Sequence, residues 1–169
     1  MGDPASAPKE PRHSRAGADG TSVALDELDR QILRLLQTDG RIKFSELGRR
    51  VRLSPAAVTE RVRRLEAAGV ISGYGAHVVP ARLGYGIQAF IRVDPHGGYN
   101  LRHPRTMELI RRPEIVEVHH VVGEDCWILK TAVKDTVHLE EVLEEVSALG
   151  RTTTSIVLTS PVPRKPLLP

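Results

Sequence analysis

Between positions 41 and 64 the sequence places eight basic side chains, Arg41, Lys43, Arg49, Arg50, Arg52, Arg61, Arg63 and Arg64, against two acids, Glu46 and Glu60. The net charge of the whole 169-residue chain is only +3, so its entire basic excess lies in that window. Arginine presents a planar fork of donors that matches phosphate oxygens and guanine edges, and a local block of it is the footprint expected of a polyanion binder. A charged helix face can also be merely solvated. The elements that carry the arginines must decide between the two.

Other chemistry is sparsely provided for. His119 and His120 are adjacent on an expected strand, so their side chains leave opposite faces and cannot chelate one ion. His13, His77, His96, His103 and His138 show no metal-ligand spacing, and Cys126 is the only cysteine. A lone cysteine rules out an internal disulfide and multi-cysteine zinc sites, and without the signature of a nucleophile it reads as packing. No catalytic residue, metal or cofactor is expected, and the chain reads as not an enzyme. Aromatics are only 4%, which disfavours a base-stacking platform for single strands.

No stretch approaches the roughly 18 apolar residues of a membrane span, and the first residues lack the apolar run of a secretory signal. The expectation is a soluble, cytoplasmic protein with no membrane partner. Residues 1–23, rich in Pro, Gly, Ala and Ser, read as a disordered tail, and 161–169, crowded with proline, as an irregular one.

From 24 to 70 the pattern is helical. Leu25, Leu28, Ile32, Leu35 and Leu36 share one face, Asp26 can cap with Asp29 three residues on, and Asp39-Gly40 supplies a stop. A second helix starts at Ser45 as N-cap and runs through Leu47 to Val51, with Gly48 marking a close approach. A third has Ser54 at the N-cap, Pro55 at the first helical position, Leu53 and Val58 as a staple, and Gly69 as the stop. The tight turn between the second and third predicts a helix-turn-helix. With Val58, Val62 and Leu65 buried, and about 100° per residue, Ala56, Glu60 and Arg63 point outward, flanked by Ala57, Thr59 and Arg64. Small residues allow close approach to bases, Thr59 and Arg63 can bond base edges, and Arg61, Arg64, Arg49 or Arg50 can reach phosphates. The expected partner is double-stranded DNA, and Ser54 at the helix start belongs to the same face.

Residues 71–84 read as an extended linker. Beyond it, from 85 to 160, come a strand (Ile87–Val93), a short helix (104–111), two strands (Ile115–Val122, Trp127–Val133), an amphipathic helix (Val137–Leu149) and a last strand (Thr153–Leu158). The order βαββαβ predicts a ferredoxin-like domain, so the fold class is α+β. One sheet face would remain uncovered, and the helical unit is small, which together predict a homodimer.

The run LDELDRQILRLLQTDGRIKFSELGRRVRLSPAAVTERVRRLEAAGVISGY, followed by a βαββαβ pattern carrying VVGEDCWILK, strongly resembles the leucine-responsive and asparagine-synthase regulator (Lrp/AsnC) family over residues 24–160. The resemblance implies a transcriptional regulator whose second domain dimerises, assembles into tetramers or octamers, and binds a small effector, typically an amino acid. Carried over from the family, the effector site would comprise Val122, Gly123, Glu124, Asp125 and Cys126 at the turn between the second and third strands, with Thr152 and Thr154 on the last. Many members have Gly-Asp-x-Asp-aromatic at this turn, and Cys126 stands here in the second acidic place. Two alternatives remain at this point: a sensor module acting through protein partners, and an orphan regulator without ligand.

Overall fold

A computed structural model describes residues 23–97, 102–123 and 126–167. It divides the chain into two compact units, one built by residues up to Gly75 together with those from Pro166, the other by Ala76–Lys165. The division falls inside the stretch expected as a linker. The expected tail ahead of Val23 lies outside the described residues. Among those residues no helix is long and apolar enough to cross a membrane.

The first unit holds three helices: α1 (Glu27–Thr38), α2 (Phe44–Val51) and α3 (Pro55–Ala67). A reciprocal capping box starts α1, the Asp29 N–H donating to Asp26 Oδ1 at 2.8 Å and the Asp26 N–H to Asp29 Oδ2 at 3.1 Å, which satisfies two donors the helix itself cannot. The start of α2 differs from expectation. Ser45 is not its N-cap; the Leu47 N–H already donates to the carbonyl of Lys43 at 2.9 Å, so the helix opens at Phe44 with no side-chain cap. Ser54 does cap α3, its Oγ accepting from the Ala57 N–H at 3.2 Å, with Pro55 in the first turn.

Gly48 is tied to the turn. A Cβ there would lie 2.5 Å from the carbonyl oxygen of Leu53, so the close approach is between α2 and the turn that follows it. Arg52 makes that turn at φ 57°, a left-handed conformation uncommon for residues with a side chain. The apolar faces of the three helices meet in one core of Ile32, Leu33, Leu36, Leu47, Val51, Val58, Val62 and Leu65, with Val70 and Ile71 packed against it. Ile71, expected at the head of the linker, is drawn against this core because its N–H and that of Val70 both close onto the Leu65 carbonyl.

The second unit opens with a short 3₁₀ turn (Pro80–Leu83) and continues as β1 (Ile87–Pro95), α4 (Pro104–Leu109), β2 (Ile115–His120), β3 (Trp127–Val133), α5 (Thr136–Ser147) and β4 (Gly150–Ile156). The sheet order is β2-β3-β1-β4, each neighbouring pair antiparallel, which is the ferredoxin-like arrangement the βαββαβ pattern predicts. Alternate residues of β1 and β3 (Ala89, Ile91, Val93; Trp127, Leu129, Val133) join Leu109 and the α5 residues Leu139, Val142 and Val146 in its core.

Several boundaries shift: α4, β2, α5 and β4 each end two residues earlier than expected, at Leu109, His120, Ser147 and Ile156. The last strand begins at Gly150 instead of Thr153, and β1 runs on to Pro95 to pair with it. A Cβ at Gly150 would lie 2.1 Å from the Asp94 carbonyl oxygen, so only glycine lets the two backbones close there. On β2 the register slips between Ile115 and Glu117, a bulge that leaves Val116 half exposed and without a partner in the ladder.

Beside β2, Arg112, Glu114 and His138 form a polar cluster. His138 Nε2 lies 3.0 Å from Glu114 Oε1, and Arg112 Nε donates to Glu114 Oε2 at 3.1 Å. Burial raises the Glu114 carboxyl, but Arg112, then a backbone N–H of Glu114 itself and His138 together outweigh it and hold it below the ordinary range.

Candidate nucleic-acid interface and effector turn

On α3, Val58, Val62 and Leu65 are buried while Ala56, Glu60 and Arg63 are exposed and Ala57 and Thr59 half-buried, so the open face is the one helical geometry predicts. The arginines around it do not share one role. Arg63 stands exposed in the middle of the face and has no ion pair or hydrogen bond among the described residues. Thr59 donates its hydroxyl back to the Pro55 carbonyl at 2.8 Å, which leaves its oxygen to accept.

Arg61 is not available to phosphate as expected. Its Nη1 donates to Asp26 Oδ2 at 2.6 Å and to Asp29 Oδ1 at 2.8 Å, and its side chain is only 25% exposed. Arg64 Nη2 donates to the other oxygen of Asp29 at 2.5 Å, so its role is also partly structural, although half of the side chain still faces solvent. The reason is Asp29, which is wholly buried; a carboxylate out of water requires charged donors. The Asp29 backbone N–H, and then Arg61, hold the Asp26 carboxyl below its ordinary value.

Arg49 and Arg50 converge on Glu46. Arg49 is bidentate at 2.9 Å and Arg50 adds a bond of 2.8 Å. These donors, Arg49 first, pull the Glu46 carboxyl down to about 2. Both arginines remain more than half exposed, a surface pairing that a phosphate can displace at small cost.

In the second unit, the described residues carried over from the family lie on and beside the paired strands β1, β3 and β4. The Cys126 N–H donates to the Val93 carbonyl at 3.1 Å, and the Val121 N–H to the Cys126 carbonyl at 2.8 Å. Val93 pairs with Trp127 on one side and Thr152 on the other, and His120 pairs with Trp127, so His120, Trp127, Val93 and Thr152 form one row. Thr152 and Thr154 are half-buried and share the helix-covered face with Val93 and Ile91. Val122 is fully exposed and Gly123 adopts φ +156°. Cys126 is half-buried, packed against the core that includes Trp127. Glu124 and Asp125 lie outside the described residues. His119 and His120 stand opposite successive β3 residues, Ile128 and Trp127, and so project to opposite faces.

The acidic partners of α3 were legible in one respect: Asp29 lies on the Leu25–Ile32–Leu36 stripe, where a charge needs a counter-charge. His120, in the same row as Thr152, carried no sequence signal.

The helix-turn-helix and the βαββαβ unit each find a counterpart among known domains. Residues 25–66 match the AsnC-type helix-turn-helix domain, and residues 88–167 match the Lrp/AsnC ligand binding domain. The chain belongs to the Lrp/AsnC family. The HTH-type transcriptional regulator LrpA of Mycobacterium tuberculosis is 37% identical over 80% of this chain and 91% of its own length. The feast or famine regulatory protein of M. tuberculosis, solved in complex with L-methionine, superposes with a TM-score of 0.78 at 34% identity, covering 86% of this chain and all of that one. A transcriptional regulator of Neisseria meningitidis, also an L-methionine complex, gives a TM-score of 0.78 at 28% identity over 85% of this chain and 96% of its own. This Lrp/AsnC chain is accordingly a transcriptional regulator with a DNA-binding helix-turn-helix and a ligand-binding domain. Its named relatives are regulators, a class defined by binding and not by catalysis.

Proposed function

We propose that residues 24–70 of this Lrp/AsnC regulator read duplex DNA with α3 in the major groove, and that residues 85–160 bind an amino acid and hold the protein as a homodimer and higher assemblies of dimers in the cytoplasm. The observation that carries the DNA reading is Arg63, exposed and unpaired at the centre of the α3 face. Ala56 and Ala57 let the helix start approach base edges, with Glu60 and the Thr59 oxygen as further base-facing groups. Arg49, Arg50 and the exposed part of Arg64 contact phosphates. Ser54 contributes through its cap, and Arg61 by holding α3 to α1.

For the effector, support comes from the L-methionine complexes of two structural neighbours and from the row that brings Thr152 to the level of the turn. Gly123, Val122 and the flanking backbone would supply donors for a carboxylate, and Glu124 or Asp125 an anchor for an ammonium. Cys126 against the core favours a second reading, an orphan regulator, because the second acid of the family turn is missing.

Fluorescence anisotropy with duplex DNA from the protein's own upstream region tests the first part. Arg63→Ala is expected to erode sequence preference, while Arg49→Ala and Arg50→Ala each reduce the salt slope by about 0.9. Equal behaviour of all three variants and the parent would overturn the face assignment. Calorimetry against the twenty amino acids, L-methionine first and Asp125→Ala as control, tests the second. No heat from any of them leaves the orphan reading.

A further inference from the structure

On the helical unit, α1 and the segment leaving α3 border a cavity of about 300 Å³ lined by Leu33, Leu36, Val70, Ile71 and Tyr74, with Gln37 at its rim. None of these residues belongs to the α3 face that reads DNA. Leu167, from the proline-rich end of the sequence, lines the same cavity. Gln37 holds it as one strand holds another. The Leu167 N–H donates to Gln37 Oε1 at 2.8 Å, and Gln37 Nε2 donates to the Leu167 carbonyl at 2.9 Å.

The same Nε2 also reaches the Leu33 carbonyl, one turn back on α1, at 3.3 Å, which fixes the plane of the amide. Leu167 as a whole stays 80% exposed, and both of its hydrogen bonds to Gln37 are made by its backbone, so the hold is on the peptide backbone. Proline at 161, 163 and 166 restricts this segment before it docks, so less conformational freedom is lost when it is ordered.

We propose that this groove is a docking site for an extended, proline-bounded peptide, that its occupant is the chain's own Pro166–Leu167 segment, and that Gln37 is the residue that reads the peptide backbone. The segment acts as a strap across α1 and Val70–Tyr74. Because Leu33, Leu36, Val70 and Ile71 also belong to the core and its flank, an occupied groove steadies the helical unit, and a peptide of the same chemistry supplied from outside competes for it.

Hydrogen exchange read by mass spectrometry on the full chain, compared with a chain ending at Lys165, tests this. Removing the strap should speed exchange in Leu33–Thr38 and Val70–Tyr74 by about 3- to 10-fold and leave Trp127–Val133 unchanged. A synthetic peptide PRKPLLP added to the shortened chain should restore the protection. In the full chain, Gln37→Ala should reproduce the loss, whereas Leu167→Ala should not. Identical exchange in the two chains, or a peptide without effect at millimolar concentration, would overturn the proposal. Protection restored to the shortened chain by an equimolar full-length chain, as completely as by covalent attachment, would overturn the same-chain assignment by showing the strap is exchanged between copies.

Discussion

Asp29 and Arg61, 32 positions apart in the chain, meet at 2.8 Å and tie α1 to α3. The carboxylate is wholly buried and its second oxygen takes Arg64, so one acid orders two of the three arginines in the second half of α3. Asp29→Ala should cost about 3 kcal/mol, the low end for removing one partner of a buried pair, since the arginines left behind can turn to solvent. Denaturant unfolding checks it. A loss under 1 kcal/mol would mean that the clamp is incidental.

The unpaired Arg63 and the Glu46-bound pair should separate specificity from affinity. Arg63→Ala should remove about 1–3 kcal/mol of discrimination between the best site and a mismatched one. Glu46→Gln should act in the opposite sense. It frees Arg49 and Arg50 for phosphate and removes a negative charge beside them, raising affinity for all sequences roughly 3- to 5-fold at low salt, with the gain shrinking as salt rises. Binding titrations at two ionic strengths distinguish these outcomes.

Gly48→Ala sets two effects against each other. Alanine is favoured over glycine inside a helix by about 1 kcal/mol, but at this buried position its Cβ would lie 2.5 Å from the Leu53 carbonyl oxygen. Backbone cannot yield cheaply there, so the variant should be less stable by about 1–3 kcal/mol. A higher melting temperature would show that the turn can open without harm.

Alkaline pH should weaken the helical unit through Tyr74. Its hydroxyl donates to Glu66 Oε1 at 2.9 Å, and burial, followed by Glu66, pushes the phenol up to about 12 from 10. The folded chain therefore holds this proton more tightly than the unfolded one. The contribution is fully present below pH 10 and is lost as pH rises through about 12. Denaturation midpoints at neutral pH and near pH 11 should fall further apart for the parent than for Tyr74→Phe.

The parts of the fold that could be read in sequence are those that local chemistry determines. Asp26 with Asp29, and Ser54 with Pro55, bring their own hydrogen-bond partners within one turn, so α1 and α3 open where the residues say they do. Ser45 offered the same chemistry, yet packing of Leu47 and Val51 carried α2 back to Phe44. The last strand was misplaced for a related reason. Gly150 has no side chain to show periodicity, and its place in the sheet depends on Asp94 and Pro95, more than fifty residues away. The open face of α3 followed from helical geometry alone, but which arginines remain free on it depended on Asp29 being buried. No pattern on α3 itself carried that information.

The bulge at Val116 bears on a hazard that every four-stranded sheet with a bare rim faces. β2 is an outermost strand, and six residues in perfect register there would offer a straight template on which a strand of another molecule could add, and another upon it. The extra residue bends that rim, and just beyond it Glu117 meets Lys130 at 2.8 Å, setting a charged pair where aggregation would otherwise begin. An irregularity in the ladder thus makes this rim a poorer template than six residues in regular register would be.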